Sequence, residues 1–417
     1  MTIAAAVETL VSNIDASAAS YLDACVHCGQ CAEACHFFEN TGDVRYIPTY
    51  KLDLLRRAYK RHKDPLRGVK KLFGLVPAEL TEDDLNEWSE LIYDSCTLCG
   101  RCSIVCPMGI DIAGLVRKTR EGMVAANIVP DGLTGAAGRA LETGSPLGIK
   151  PETFQKIVAE QAEATGIPIE LDKPGVDYMV ILSAMEVLNF YEVIGALARI
   201  FKKAGLTWTM STKAYEATNV GIQMGDKAIA KTLVSRVVDA AEELGVKYVV
   251  SPECGHAYSA LNWEGPNLVG RTYKFEVIHI IELLNQLCEQ GKITTKGKDS
   301  RRLTFHDPCQ IVRRGGIVDE PRAILGQIAD NFVEMTPSRE ANICCGGGGG
   351  VSSNPNAEEL RLRAFGSKKR QLDAVKPDAM VTACGNCRNV LEEAIDEYDM
   401  VMPVLSLTEL LAEYLDD

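Results

Sequence analysis

Short apolar runs alternate with amphipathic helical stretches through the C-terminal part of the chain, and the alternation occurs twice. In the first copy, the run VDYMVILSAME is followed by a helix, a glycine-containing loop, a longer helix and the run KYVVS. The second copy begins at RRLTFHDPC and ends at DAMVT, with the same types of segment between them. Because apolar strands that follow helices are typical of parallel α/β units, the pattern predicts two related α/β halves, residues 176–298 and 299–417.

The N-terminal part of the chain has a different pattern. Residues 1–150 favour helices, and the Pro- and Gly-punctuated residues 151–175 predict a linker. We therefore expect an α+β multidomain protein with an N-terminal α-helical domain. Residues 51–71 are strongly basic in a chain whose net charge is −13. This segment is either a surface for anionic lipid or an acidic partner, or a solvated helix face.

Composition narrows the class of protein. The negative net charge argues against nucleic-acid binding. The start MTIAAAVETLVSNIDASAAS lacks the basic region of a signal peptide, and no apolar stretch is long enough to span a membrane. These features predict a cytoplasmic protein, where thiols stay reduced. The chain has 15 cysteines, and cysteines at short spacings in such a compartment favour metal ligation.

Two cysteine runs in the N-terminal domain follow the spacing C-x2-C-x2-C-x3-C, which is typical of bacterial ferredoxins. In that arrangement the fourth cysteine of each run ligates the cluster of the other run. One predicted 4Fe–4S cubane is held by Cys25, Cys28, Cys31 and Cys106. The second is held by Cys96, Cys99, Cys102 and Cys35. Zinc is the alternative, although zinc sites more often use separate CxxC pairs.

A third group of cysteines lies in the second α/β half. Cys344 and Cys345 are adjacent and precede five glycines, and ACGNC follows further on. Adjacent cysteines rarely form a disulfide with each other, because it strains the peptide between them. Glycines allow a sharp bend at little steric cost, and the run lacks the lysine of a phosphate-binding P-loop.

This third group resembles the cysteine-rich CCG domain of heterodisulfide reductases. In that family five such cysteines hold a noncubane 4Fe–4S cluster that splits disulfides of thiol carriers. The resemblance implies ligands at Cys309, Cys344, Cys345, Cys384 and Cys387. The first α/β half has only one counterpart, Cys254 in SPECGHAY, and is the degenerate copy of a pseudo-duplicated CCG domain.

The whole order of domains is similar to the catalytic iron–sulfur subunits of membrane-bound heterodisulfide reductases. More narrowly, it resembles the cytoplasmic iron–sulfur subunit of the dissimilatory sulfite-reduction-associated membrane complex. That resemblance implies a membrane cytochrome b partner, a location on the cytoplasmic face of the inner membrane, and a small sulfur-carrier protein as thiol substrate. Electrons would pass from quinol through the cubanes to the noncubane cluster, which would reduce a carrier disulfide or trisulfide or, in reverse, oxidise the thiols.

Three further residues are expected close to the predicted noncubane cluster. His256 and His306 could deliver protons, or could be structural histidines. Cys254 could be an extra ligand, a thiol that accepts substrate sulfur, or a relic. Two other functions stay open: an electron relay for a flavin dehydrogenase without disulfide chemistry, and a zinc-stabilised assembly module.

Overall fold

The computed structural model describes residues 3–416 and divides the chain into two compact units. Each unit is assembled from segments that are separate in sequence. Unit 1 contains the chain up to Thr134, together with Ile222–Lys227 and Gly346–Lys368. Unit 2 contains Gly135–Gly221, Ala228–Cys345 and the chain from Lys369 onward. The glycine run therefore belongs to the unit that carries the two ferredoxin-type cysteine runs.

The α-helices are numbered in chain order. The first ten are α1 (Ile3–Ser12), α2 (Ala16–Ala24), α3 (His36–Thr41), α4 (Asp53–His62), α5 (Arg67–Leu72), α6 (Glu82–Tyr93), α7 (Arg101–Ile104), α8 (Ile112–Ala126), α9 (Asp131–Thr143) and α10 (Pro151–Thr165). The next six are α11 (Ala184–Leu188), α12 (Glu192–Lys203), α13 (Val220–Met224), α14 (Lys227–Leu244), α15 (Gly255–Tyr258) and α16 (Gly265–Val269). The last six are α17 (Ile280–Glu289), α18 (Glu320–Ile328), α19 (Glu358–Ala364), α20 (Gly366–Val375), α21 (Gly385–Glu397) and α22 (Leu407–Glu413).

In unit 1 the helices pack through narrow apolar faces. Helix α1 lies against α8, and Gly122 makes this approach possible because a Cβ there would stand 2.5 Å from the Leu10 side chain. Helix α4 buries Leu54, Leu55 and Tyr59 on one face, as expected for an amphipathic helix. Helix α6 begins with a capping box in which Thr81 and the next-turn aspartate satisfy each other's backbone N–H groups. The predicted helical N-terminal domain is confirmed.

Unit 2 contains the strands. They are β1 (Tyr178–Val180), β2 (Trp208–Met210), β3 (Tyr248–Ser251), β4 (Glu276–His279), β5 (Asp299–His306), β6 (Ala329–Phe332), β7 (Ala379–Thr382) and β8 (Val404–Ser406). Within the described residues they form two four-stranded sheets of order β2-β1-β3-β4 and β6-β5-β7-β8, with every pairing parallel. The identical order confirms the predicted repeat of α/β halves, and with it the α+β class.

The core of unit 2 is built where the predicted strands lie. Strand β7 is buried at every position, and in β3 only Tyr248 is partly exposed. Both are central strands covered on two faces, which explains why their sequences are continuously apolar. Residues 151–165, in the segment expected as a linker, form helix α10. Its Phe154 is fully buried and stacks on Tyr215 at 4.6 Å between ring centroids.

Among residues 3–416, none of the helices is long and apolar enough to cross a membrane.

Candidate metal centres

The two cysteine runs of unit 1 line two cavities in a crossed arrangement. Cavity A, of about 430 Å³, is lined by Cys25, Cys28, Cys31 and Cys106, together with apolar residues. Cavity B, of about 420 Å³, is lined by Cys35, Cys96, Cys99 and Cys102. Each cavity thus receives three cysteines from one run and the fourth from the other, the grouping that the spacing predicts.

The two loops reach this geometry by the same backbone path. His27 and Gly29 have φ values of 55° and 81°, and Leu98 and Gly100, at the matching positions, have φ values of 54° and 77°. A non-glycine residue in the left-handed region is uncommon and marks a conformation held by its surroundings. Repeated left-handed residues curl each loop, so that its first three thiols face one cavity.

The thiols fit iron–sulfur ligation. All fifteen cysteines, which lie within the described residues, are free of disulfides. Burial raises the pKa of the Cys35 thiol, and raises that of Cys102 well above its usual value. Without a bound metal, both cysteines would therefore stay protonated. Bound iron would supply the positive charge that keeps such thiols deprotonated.

The cavities differ in charge. Lys51 lines cavity B, is only 2% exposed, and donates a hydrogen bond from Nζ to the Ser95 carbonyl. Arg120 is fully buried, and one of its guanidinium nitrogens donates to the Cys96 carbonyl at 2.7 Å. Neither cation forms an ion pair with a carboxylate within residues 3–416, and no Lys or Arg is among the described residues that line cavity A. Buried positive charge without a counter-ion is costly, and an anionic cluster in cavity B would offset it.

Arg120 also holds unit 1 together. Its guanidinium donates to the carbonyls of Ile92 and Gly349, both at 2.6 Å, and to that of Gln223. Its planar group lies 4.7 Å from the centre of the Tyr93 ring. These carbonyls come from three separate segments of the chain, all within unit 1. The sequence gives no signal for this role, because an interior arginine on α8 looks like any other helical arginine.

The five other candidate ligands lie in unit 2 beyond the carboxyl ends of β5 and β7, where open α/β sheets place ligands. His306 is the last residue of β5. The Sγ atoms of Cys309 and Cys344 are 4.0 Å apart. Single ligand atoms of His306, Cys345 and Cys387 lie within 4.8 Å of one another. All five thiols and the histidine are buried. Such a set of converging buried thiols suits a metal cluster better than any single tetrahedral ion.

Ion pairs and a side-chain hydrogen bond connect the two loops that carry candidate ligands. Arg322 binds the buried carboxylate of Asp307 and, at 2.8 Å, that of Glu334. Asn342 donates to the Asp307 carbonyl, which connects the loop of Cys309 to the loop of the adjacent cysteines. Cys309 itself is followed by a π-helical turn, Gln310–Arg314, a feature that is frequent at functional sites.

The glycine run serves a close approach within unit 1. Gly346, Gly349 and Gly350 have φ values of 97°, 60° and 87°. A Cβ at Gly349 would stand 2.8 Å from the backbone of Thr97, in the loop of the second cysteine run. A side chain at Gly349 would therefore be strained and would displace that loop.

Cys254 occupies the position in the first half that Cys384 occupies in the second. Each is the N-cap of the helix after a central strand, with φ −153° and ψ 104° at Cys254 and φ −153° and ψ 114° at Cys384. Burial raises the pKa of the Cys254 thiol well above its usual value, and the neighbouring Cys384 and Glu186 raise it further. The two cysteines are therefore close in structure as well as equivalent in topology.

Three buried carboxyl groups surround Cys254, and sequence reasoning missed them. Burial raises the pKa of Glu186 to about 7, and of Glu216 and Glu253 to about 8. Glu253 accepts hydrogen bonds from the Thr408 N–H and hydroxyl at 2.8 and 2.7 Å. In a chain with 57 acidic residues, no sequence pattern distinguishes these three from surface carboxylates.

Two other residues lie less centrally. His256, a candidate proton donor from the sequence, is half-buried on α15, two residues beyond Cys254. Cys288, which lies outside the three cysteine groups, is half-buried on α17.

Comparisons with known proteins match the two regions that carry the candidate metal ligands. Residues 21–110 match the family model described as a 4Fe-4S dicluster domain, and residues 303–392 match the one described as a cysteine-rich domain, CCG. The Hdr-like menaquinol oxidoreductase iron-sulfur subunit 2 of Archaeoglobus fulgidus is 31% identical over 392 residues, which cover 82% of this chain and 70% of that protein. A subunit of the dihydromethanophenazine:CoB–CoM heterodisulfide reductase of Methanosarcina mazei is 28% identical, over 97% of this chain and 96% of that protein. The EtfAB:quinone oxidoreductase of Syntrophomonas wolfei is 26% identical, over 90% of this chain and 55% of that protein.

Fold, cysteine sites and similarity define an iron–sulfur oxidoreductase subunit that transfers electrons. The chain belongs to the heterodisulfide-reductase-like (Hdr-like) iron–sulfur subunit family.

Proposed function

We propose that this protein carries electrons through two cubane 4Fe–4S clusters to a noncubane 4Fe–4S cluster that reduces, or in reverse oxidises, the disulfide or trisulfide of a small sulfur-carrier protein. The observation that carries the proposal is the convergence in unit 2 of five buried thiols beyond two adjacent parallel strands. The electron donor would be a quinol-oxidising cytochrome b subunit in the membrane, with this chain on the cytoplasmic side.

The proposed ligands follow the geometry. Cavity A would hold one cubane and cavity B the other, through the four cysteines that line each. The noncubane cluster would be held by Cys309, Cys344, Cys345, Cys384 and Cys387. When bound, such a cluster supplies one-electron steps, so that a disulfide gains two electrons and two protons overall to give two thiols.

The chain's own residues would position and shield this chemistry. The five thiols are 3–5% exposed, so bulk water has little access to the site. A ring nitrogen of His306 lies within 4.8 Å of the Sγ atoms of Cys345 and Cys387, beside the proposed ligands. The roles of Cys254, His256 and His306 in handling substrate sulfur and protons stay predictions.

Iron content and EPR spectra of anaerobically purified protein test the cluster assignment. We expect about 12 irons per chain, as three clusters of four, and a paramagnetic signal that appears on oxidation in the presence of thiol. Replacing Cys344 and Cys345 by alanine should lower the content to about 8 irons and abolish that signal. The matched control Cys288→Ala removes a thiol outside the group and should change neither. Wild-type protein with about 8 irons, or with zinc in unit 2, would refute the proposal.

A second candidate function is an electron relay between a flavoprotein and a quinone, without disulfide chemistry. The similarity to the EtfAB:quinone oxidoreductase favours it. Both candidates predict three clusters, and they differ in turnover. With reduced methyl viologen as electron donor, the first predicts consumption of glutathione trisulfide that is lost in the Cys344→Ala, Cys345→Ala variant. The relay predicts no consumption by either protein.

A further inference from the structure

Helix α5 and the residues after it form an exposed apolar ridge, which we define as Leu66, Val69, Leu72, Phe73 and Leu75. Their side chains are 60–82% exposed, and no residue of α5 is buried. Of the fifteen large hydrophobic residues exposed in the described chain, these five lie within ten consecutive positions. A six-residue helix without a buried face gains no stability from packing. We therefore expect the apolar ridge to be covered by another surface.

The charges beside the ridge are positive and uncompensated. Arg67 and Lys71 are exposed and form no ion pair within residues 3–416. Lys70 is bound by Asp64, which is the only acidic residue between positions 62 and 76. In a chain of net charge −13, a local positive surface selects for an anionic partner.

Most other cations of the basic segment have partners within the chain. On α4, Arg56 binds Asp53, Arg57 binds Asp84 at 2.9 Å, and Arg61 binds Glu79. Lys51, at the start of the segment, is buried in the wall of cavity B. Among the arginines and lysines of this segment, Lys63, Arg67 and Lys71 are exposed and form no ion pair within residues 3–416, and Lys63 donates to the Ile14 carbonyl at 2.8 Å.

The chemistry of the ridge favours a lipid surface over a protein. The buried cores of protein–protein interfaces are depleted of charged residues, and of lysine in particular. Interfacial membrane helices combine leucine and phenylalanine on one side with lysine and arginine beside them, and insert the apolar side chains at the headgroup boundary. Protruding apolar residues interleaved with free cations fit the second description.

We propose that the apolar ridge, with Arg67 and Lys71, inserts into the headgroup layer of a membrane that contains anionic lipid. The apolar side chains would lie among the upper acyl chains, while the two cations contact phosphate. This contact is separate from any protein partner in the membrane and does not depend on the disulfide chemistry proposed above.

Vesicle co-sedimentation of the full-length, cluster-loaded protein tests the proposal. The probes are vesicles of phosphatidylcholine alone and of phosphatidylcholine with phosphatidylglycerol. We expect binding to the anionic vesicles that weakens at high salt. Arg67→Gln with Lys71→Gln should weaken it about tenfold or more, since each cation near an anionic surface contributes. Leu72→Gln with Phe73→Gln should abolish it.

Matched controls separate the ridge from general surface effects. Val401 is also an exposed apolar residue, and Lys156 an exposed lysine, at other sites; Val401→Gln and Lys156→Gln should bind as wild type does. Unchanged iron content and circular dichroism would establish that each variant is folded. Failure of wild type to bind anionic vesicles, or equal binding by all variants, would overturn the proposal. Binding to native membranes that disappears after their proteins are digested would overturn it too, and would assign the ridge to a protein.

Discussion

Replacing Lys51 by methionine removes a positive charge from the wall of cavity B and keeps the length of the side chain. A cluster in cavity B becomes more negative on reduction, so a nearby cation favours the reduced form. The variant should therefore lower the reduction potential of this cluster and leave that of the cluster in cavity A nearly unchanged. Lys51→Arg, which keeps the charge, should have little effect on either potential.

The magnitude follows from the position of Lys51 in the wall of cavity B. For a charge in direct contact with the cavity we take a distance of about 6 Å from the cluster centre. At an effective dielectric constant of about 20 the interaction is then about 3 kcal/mol. Since about 2.3 kcal/mol corresponds to 100 mV for one electron, the expected decrease is on the order of 100 mV.

An anaerobic redox titration followed by EPR measures the potentials of both proposed cubanes in one sample. Lys118→Met is the control, because that lysine is partly exposed and already bound to the carboxylate of Asp15 at 2.9 Å. A shift for Lys51→Met that is no larger than the control's, or that is equal at both cubanes, would refute the electrostatic reasoning.

Three more variants test the fold and the ligand assignment. Arg120→Met leaves four buried carbonyls without their donor, at about 1–3 kcal/mol each. Its urea midpoint should therefore fall far below that of the control Arg117→Met, and equal midpoints would show that water replaces the guanidinium. Cys35→Ala should remove the cubane proposed for cavity B and leave the EPR signal of the one proposed for cavity A, whereas loss of the cluster in cavity A would contradict the crossed assignment. Burial raises the pKa of Glu216 to about 8 from a usual 4.5, so the folded state keeps a proton that the unfolded state releases, and stability falls as pH rises through that interval. Glu216→Gln should remove this loss, so that the free energy of unfolding from urea titration exceeds that of wild type at pH 8 but not at pH 4, by on the order of 4 kcal/mol at most; an equal difference at both pH values would contradict it.

The strongest sequence signals were those with fixed spacing. The crossed grouping of cysteines around the two cavities follows from two ferredoxin-type runs, and the repeat of α/β halves follows from apolar strands such as KYVVS and DAMVT. Both signals are local, because a loop of three cysteines or a buried parallel strand is encoded within a few residues. The position of Cys254 beside Cys384 could also be anticipated, by aligning the two halves.

Interior charges could not be predicted from the sequence. Lys51 is the first residue of the basic segment and is nevertheless buried. Arg67, in the same segment, is exposed and forms no ion pair within residues 3–416. Burial of a charge depends on which distant carbonyls and cavities the fold brings to it, and no local pattern records that. The same holds for Gly349, whose neighbour is the backbone of Thr97, more than two hundred residues earlier in the chain.

The assembly of unit 1 from three segments constrains the order in which the protein can mature. Arg120 is synthesised early, but two of its four carbonyl partners, at Gln223 and Gly349, emerge from the ribosome much later. Until they do, a buried cation beside the second cysteine run lacks half of its hydrogen bonds. The proposed cluster site in cavity B would therefore reach its final stability only after translation has passed residue 368. For the same reason, no single cut in the chain yields two independently complete halves.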